Sequence, residues 1–421
     1  MTRFRYYHAL GMVCALSVCG VKCRHTTRAP SEFEYPVSPI VAVRDVRVLL
    51  VRGGDPCRLR IDGPFVVHSP SQGAPVHFER SDWAVLQAVP DRRILLEDRF
   101  LGRGQVTIVP RQSGTIWLTR RGRGGWRRPR RYAGTLIVTV DHSGRLNVIN
   151  SLDVETYVAC VVSSEIYPDF HREAYRAQAV ASRTYVLYQM AQHPHRAYDV
   201  LATEASQVYG GLQNSGAAQR ARQAVNDTRA VVATWRAPQG ERIFCTYYSS
   251  CCGGMTQDVA NSNRDEVDVP PLAGGVRCEY CKIAPAQTYR WKPVRLSKRE
   301  ITTRLVARYP EMKDLHRLER LEVVRRTKSG RPTRFRLVGS NGRTRSIIAE
   351  DFRLAVGSRV LRSTDFKIDH ERNSILFTDG HGFGHGMGLC QWGMQGMALK
   401  GHRAPEILKF YYPSMHLTRA Y

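Results

Sequence analysis

Apolar and polar residues alternate with a period of two over residues 41–51, 105–109 and 134–140, three Val-rich stretches separated by Gly and Pro. Such alternation puts one face of each segment into a core and predicts an antiparallel, β-rich N-terminal region. From about 171 to 191 the pattern becomes helical. Small residues at 174, 177 and 181 let another backbone approach, and Gln178, Ser182 and Arg183 ride on or beside the packed face. A second helix is predicted over about 216–228, a strand over 241–248, and a helix over about 297–307 followed by strands at 321–324 and 334–338. No repeat of fixed period is present. The fold class is therefore α+β, a β-rich N-terminal region followed by a mixed α/β region.

The first residues follow a different pattern. Arg3 and Arg5 precede a largely apolar run from Ala9 to Val21, too short for a comfortable membrane span and right for the core of an export signal. Residues 1–23 read as that signal, and 24–38 as a flexible tether. Leu16-Ser17-Val18-Cys19 approaches a bacterial lipoprotein cleavage site, although Val18 stands where a small residue is expected, so lipidation at Cys19 stays open. The domain boundaries that follow are 39–145 for the β-rich region and 146–421 for the remainder, with a helix-strand subdomain at about 295–375.

At 421 residues the chain can bury a sizeable core. Its 63 Lys and Arg against 37 Asp and Glu give a net charge of +26, which draws it to polyanions. The densest cluster, from Arg120 to Arg131 with Trp126 inside it, could grip single-stranded nucleic acid. More often such a run is a solvated hairpin tip. An exported protein does not meet nucleic acid, so acidic wall polymer or lipid headgroups are the expected contacts. Of the eleven cysteines, Cys14, Cys19 and Cys23 belong to or adjoin the signal. Export permits the other eight to oxidise.

Three motifs carry chemistry. Glu165 lies in an apolar and hydroxyl-rich segment, Val161 to Pro168. Apolar surroundings raise a carboxyl pKa toward the working pH, the condition for a general acid. An ordinary Glu there would cap the following helix or face water. Next, Cys251-Cys252 stands opposite Cys278-Glu279-Tyr280-Cys281, whose second pair has the reach of a zinc knuckle. Adjacent residues of an extended chain point to opposite faces, so Cys252, Cys278 and Cys281 are the candidate ligands, with Cys251 or a His as the fourth. A disulfide among the same residues competes. Last, His381-Gly382-Phe383-Gly384-His385-Gly386 has glycine on alternate positions, which argues against a helix. In a strand both histidines would share one face, lining a groove or packing on Tyr411 and Tyr412.

The segment from Asn150 to Tyr185, the central Tyr247-Tyr248-Ser249-Ser250-Cys251-Cys252-Gly253-Gly254 and the Gly380–Gly393 block, in that order, resemble the stage II sporulation protein D family, also called the amidase-enhancer family. The likeness covers roughly residues 40–421. It implies a catalytic region with a central groove, and lytic transglycosylase activity on peptidoglycan glycan strands with Glu165 as the single catalytic acid and base. The candidate substrate-binding residues are Ser164, Gln178, Arg183, Tyr185, His381, His385 and Gln391. The acidic neighbours Asp153, Glu155, Asp169 and Glu173 become partners only if the reaction is hydrolysis by two carboxylates. The family also tips the cysteine loop toward a structural zinc, with no organic cofactor. Ser is usual at the position of Cys390, so an essential Cys390 nucleophile is disfavoured. The implied partners are glycan strands, a cell-wall amidase and the membrane surface through the N-terminal signal or lipid. The implied location is the periplasm or cell envelope. The alternative is a non-catalytic wall-binding module that stimulates an N-acetylmuramoyl-L-alanine amidase.

Overall fold

Thirteen strands and no helix occupy the described residues between Val46 and Leu152. The structure is a computed structural model, and it describes residues 35, 45–111, 114–122, 124–259, 269–327 and 329–421. The export-signal and lipidation readings, and all of the tether but Tyr35, lie outside these residues. Residues 35–421 form one unit.

One seven-stranded sheet runs in the order Val200–Leu201, Val46–Gly54, Leu146–Leu152, Thr135–Val140, Gln105–Pro110, Phe65–His68 and Val76–Phe78. The alternation in Thr135–Val140 appears directly as alternating half-buried and buried positions. A second sheet is built on Cys57–Ile61, Ser81–Val89 and Ile116–Gly122. The arginine cluster forms its hairpin tip, Ile116–Gly122 turning into Gly125–Trp126. Arg58 covers the Trp126 ring at 4.6 Å and Arg131 covers Trp117 at 5.5 Å, so aromatic rings offset part of the crowded charge.

Helix α1, Val154–Glu165, begins at Asp153, whose carboxylate accepts from the Thr156 N–H at 2.9 Å. Its valines and hydroxyl residues are mediocre helix formers, and the segment forms a helix because its apolar side packs on α2, Arg172–Gln192, and α3, Gly216–Asp227. Helix α2 is enclosed almost all round. Ala174, Ala177 and Ala181 are fully buried, which admits α1, α3 and the strand Val231–Ala237 close to its axis. Gln178, Ser182 and Arg183 are also fully buried, so each needs an internal partner.

The strand expected over 241–248 is two short ones, Gly240–Ile243 and Tyr248–Ser249. The first pairs with Val231–Ala237, whereas the second leaves that sheet and pairs parallel with Leu389–Cys390. That switch brings the central motif beside the C-terminal block. After α4, Ala286–Tyr289, a subdomain has its own core of Ile301, Leu318, Phe335, Phe352 and Phe377. It contains α5, Lys298–Arg308, α6, Ala349–Val356, and two antiparallel sheets. The C-terminal helices α7, Gln391–Leu399, and α8, Ala404–Tyr411, return to pack on α2.

Candidate active site and thiol cluster

Glu165 is the last residue of α1 and does not cap α2, whose N-cap is His171. Its half-buried carboxyl accepts from the backbone N–H of Val208 and from the side chains of Tyr248 and Gln391. Burial outweighs these bonds and pushes its pKa from 4.5 to about 7, the charge of Glu204 acting in the same direction. The carbonyl end of α1 disfavours an anion as well. Gln391 donates to Gln178 at 3.4 Å, Gln178 donates to Ser182 at 3.1 Å, and Ser182 reaches the Tyr248 hydroxyl. Gln207 donates to Tyr248 at 3.0 Å and accepts from the Tyr157 hydroxyl at 2.9 Å. The carboxyl is thus held by a closed ring of neutral amides and hydroxyls, with no ion pair to it among the described residues. Such a shell fixes its position while leaving it able to hold a proton near neutral pH.

Beside the ring, Trp392 packs edge-on to Phe170 and tilted against the exposed Tyr167, with centroids 5.0 and 5.1 Å apart. This aromatic surface adjoins Gln391 in sequence and lies two residues beyond Glu165.

A second cluster lies behind α7. The sulfurs of Cys252, Cys278, Cys281 and Cys390 all fall within 4.8 Å of one another, and Cys252 and Cys281 are 3.7 Å apart. A tetrahedral ion with Zn–S bonds of about 2.3 Å needs sulfurs about 3.8 Å apart. A Cβ at Gly393 would come within 2.7 Å of Cys278 Sγ and 1.9 Å of the Tyr411 hydroxyl, so only glycine leaves room for this cradle. None of the eight described cysteines is in a disulfide. The residue completing the tetrad is Cys390 rather than Cys251 or a His. Chain order hid this, because Cys390 arrives from the N-cap of α7, 138 residues after Cys252. Burial pushes the Cys390 thiol well above its ordinary range, which disfavours a free thiolate nucleophile there.

A family model described as "Stage II sporulation protein" matches residues 142–235, the span that holds α1, α2 and Glu165. An uncharacterized protein of Brachyspira hyodysenteriae is 30% identical over 376 residues, 89% of this chain and 92% of its own length. Stage II sporulation protein D of Bacillus amyloliquefaciens is 25% identical over 295 residues, 65% of this chain and 76% of its own. The chain thus carries a stage II sporulation protein domain and is similar to stage II sporulation protein D over 65% of its length. A protein of Bacillus subtilis named "Amidase enhancer" is 35% identical over 75 residues, 18% of this chain and 10% of its own. Residues 281–388 match a separate model, a domain of unknown function, which coincides with the subdomain that has its own core.

Against this family frame, the candidate substrate-binding residues divide. Gln391 and Gln178 belong to the ring around Glu165. Ser164 accepts from Gln213 at 2.9 Å and donates to the Cys160 carbonyl, facing away into α1's own turn. Arg183 does not face a groove. It is fully buried and grips Glu155 through Nη2 at 2.6 Å, with further bonds to the Val231 and Val225 carbonyls. Tyr185 is buried with its ring edge-on to Tyr247. The histidines do not share a strand face, because the strand Ser374–His381 ends between them. At Gly382 (φ +76°) and Gly388 (φ +61°) the backbone is left-handed, and a Cβ would meet Cys251 O and Tyr247 O at 2.6 and 2.1 Å. The loop therefore turns tightly against the central motif. His381 Nε2 lies 3.3 Å from Asp379, and His385 Nδ1 accepts from the Met387 N–H at 3.0 Å.

Sequence reasoning missed Tyr248, Gln207 and the Val208 N–H. Tyr248 sat in a motif already singled out, next to the cysteine pair. Nothing local marks Gln207, which meets Tyr157 and Tyr248 only when its loop packs against α1.

Proposed function

We propose that this protein is a cell-wall lytic transglycosylase that cleaves the MurNAc–GlcNAc bond of peptidoglycan strands. The observation that carries the reading is a half-buried carboxyl with a pKa near 7, held by neutral donors. In the proposed reaction the Glu165 carboxyl gives its proton to the glycosidic oxygen as the C1–O bond breaks. The muramyl 6-hydroxyl then attacks C1, its proton returns to Glu165, and a 1,6-anhydro ring closes. No water is consumed and the acid is regenerated. The exposed ring of Tyr167 and the half-buried ring of Trp392 suit stacking on a sugar face.

A one-carboxylate mechanism is favoured because three of its four acidic neighbours have structural work. Asp153 caps α1, Glu155 is paired with Arg183, and Glu173 binds Arg176 and the Ala404 N–H. Incubating the protein with purified peptidoglycan, intact and amidase-treated, and analysing products by mass spectrometry tests this. Ends in 1,6-anhydromuramic acid that vanish in Glu165→Gln are expected. Reducing ends would point to a hydrolase, with Glu204 as the second carboxylate to examine.

The resemblance to a protein named "Amidase enhancer" motivates a second reading, a wall-binding module that stimulates an amidase. Stimulation that survives Glu165→Gln, without glycan cleavage, would favour it. Either role places the protein in the envelope, at peptidoglycan.

We also infer that Cys252, Cys278, Cys281 and Cys390 hold a structural zinc ion. The close sulfurs and the room left by Gly393 fit a tetrathiolate site. Bound there, the ion would tie the central motif and the start of α7 together, fixing Tyr248 and Gln391 on either side of Glu165. The alternative, a disulfide, is separated from this by metal analysis and thiol counting.

A further inference from the structure

Arg331 stands at the turn between two strands of the subdomain, Leu318–Arg326 and Pro332–Gly339, and is 2% exposed. The turn is pinned at its base, where the Thr327 N–H donates to the Arg331 carbonyl at 2.8 Å and Thr327 Oγ1 accepts from the Arg331 N–H at 3.1 Å. From there the side chain reaches across to the central motif, and its Nη2 donates to the Cys252 carbonyl at 2.7 Å. The guanidinium lies against Gly386. A Cβ at that position would come within 2.8 Å of Nη1, so only glycine admits it.

A buried cation is costly unless its charge is met. Arg183, buried like Arg331, has a carboxylate oxygen at 2.6 Å. For Arg331 the Asp365 carboxylate is 3.6 Å away, beyond hydrogen-bond distance, and is itself 35% exposed. Nη1 is buried with no hydrogen-bond partner among the described residues. The guanidinium therefore calls for further negative charge close by, and the residue it grips is one of the four clustered thiols. A divalent ion held by four thiolates leaves a surplus of negative charge, because each thiol gives up its proton on binding. The same sulfurs joined in disulfides are neutral. The unmet cation and the surplus anion thus meet at one residue, the first through the Cys252 carbonyl and the second through its sulfur.

We propose that Arg331 is the positioning residue of the thiol cluster. Its guanidinium holds the Cys252 backbone and balances the surplus negative charge of the metal-bound thiolates. This rests on the reading of the cluster as a zinc site. It goes beyond that reading by making the subdomain, which matches a family model of its own, part of what retains the ion.

The full chain and its variants are titrated with zinc in competition with a chromogenic chelator, and the fold of each is checked by circular dichroism. Arg331→Gln retains a donor for the Cys252 carbonyl and loses the charge. It should bind zinc about 10- to 100-fold more weakly, the usual cost of losing a group that supports a metal ligand. Arg331→Lys keeps the charge and should recover most of that loss. Wild-type affinity in folded Arg331→Gln, or equal weakness in the two variants, overturns the proposal, since packing or a hydrogen bond alone predicts no rescue by charge. If Arg331→Gln does not fold, Asp365→Asn decides the matter at a half-buried position. Without that carboxylate the guanidinium is left to the cluster, and zinc should bind about threefold more tightly, within the range of a partly exposed ion pair. Unchanged or weaker binding there overturns the proposal. A wild-type protein that binds no zinc sinks the zinc reading and this inference together. Tight zinc binding that ignores the charge at position 331 sinks this inference alone.

Discussion

Glu155 and Glu165 stand at opposite ends of the same helix, and the protein treats them in opposite ways. Glu155 lies in the first turn of α1, where the helix N-terminus favours negative charge, and accepts from Arg183, the Ala230 N–H and Tyr421. Burial alone would raise its pKa, but Arg183 more than compensates and holds it below the usual range. Glu165 lies at the carbonyl end with no ion pair among the described residues, and burial prevails. A buried carboxylate becomes structural when a guanidinium faces it and becomes a proton carrier when only neutral donors do. The two are ten residues apart in sequence, and the helix ends bias them the same way as their partners do, but the guanidinium that settles the difference comes from α2.

The largest effect is expected from removing the proposed proton carrier. Glu165→Gln should lower glycan cleavage about 10²- to 10⁴-fold, the span usual for a general acid and base, with the fold unchanged by circular dichroism. At the structural end, Arg183→Met leaves Glu155 buried without its partner and should cost about 3–5 kcal/mol in chemical denaturation. Equal stability losses in the two variants would erase the distinction drawn here.

Stability against pH separates the two carboxyls by sign. The Glu165 pKa is raised on folding, from 4.5 to about 7, so its protonated form stabilises the fold at low pH and this contribution is lost as pH rises through that window. The difference in melting temperature between Glu165→Gln and wild type should therefore grow from pH 4.5 to 7. The Glu155 pKa is lowered, so its contribution is present above the unfolded value and lost as pH falls through the folded one.

Two smaller changes tune the acid. Tyr248→Phe removes a donor that favours the carboxylate, and should move the alkaline limb of the rate profile up by about one unit. Glu204→Gln removes an exposed negative charge that raises Glu165 and should move the same limb down by a smaller amount, an effect that fades in high salt. At the thiol cluster, Cys390→Ser should lower bound zinc, read by elemental analysis, whereas Cys251→Ser should leave it in place.

Much was legible in the chain itself. The alternation over 134–140 became the strand Thr135–Val140, and the helical pattern near 171–191 became α2 within a residue of the expected start and end. Local patterns recover these elements because each buries one face or one axis with a regular period. Glu165 stood out for the same kind of reason, an acidic residue in an apolar segment. Where the reading failed, the deciding contact came from far along the chain. Arg183 looked like a ligand for sugar until Glu155 met it across α1, and the fourth thiol came from the start of α7. The histidines parted because glycine lets the backbone turn where a regular strand would have kept them on one side.

Composition, periodicity and motif order by themselves determined the α+β class, the main helices and strands, the acidic residue that carries the proposed chemistry, and three of the four clustered thiols. Tertiary structure decided which carboxylate is paired and which is left to titrate, which thiol completes the tetrad, and that Arg331 of the subdomain reaches the central motif. The physical reason is that helix and strand patterns record short-range geometry, whereas a pKa or a four-sulfur cradle depends on groups that only long-range packing brings within a few ångströms.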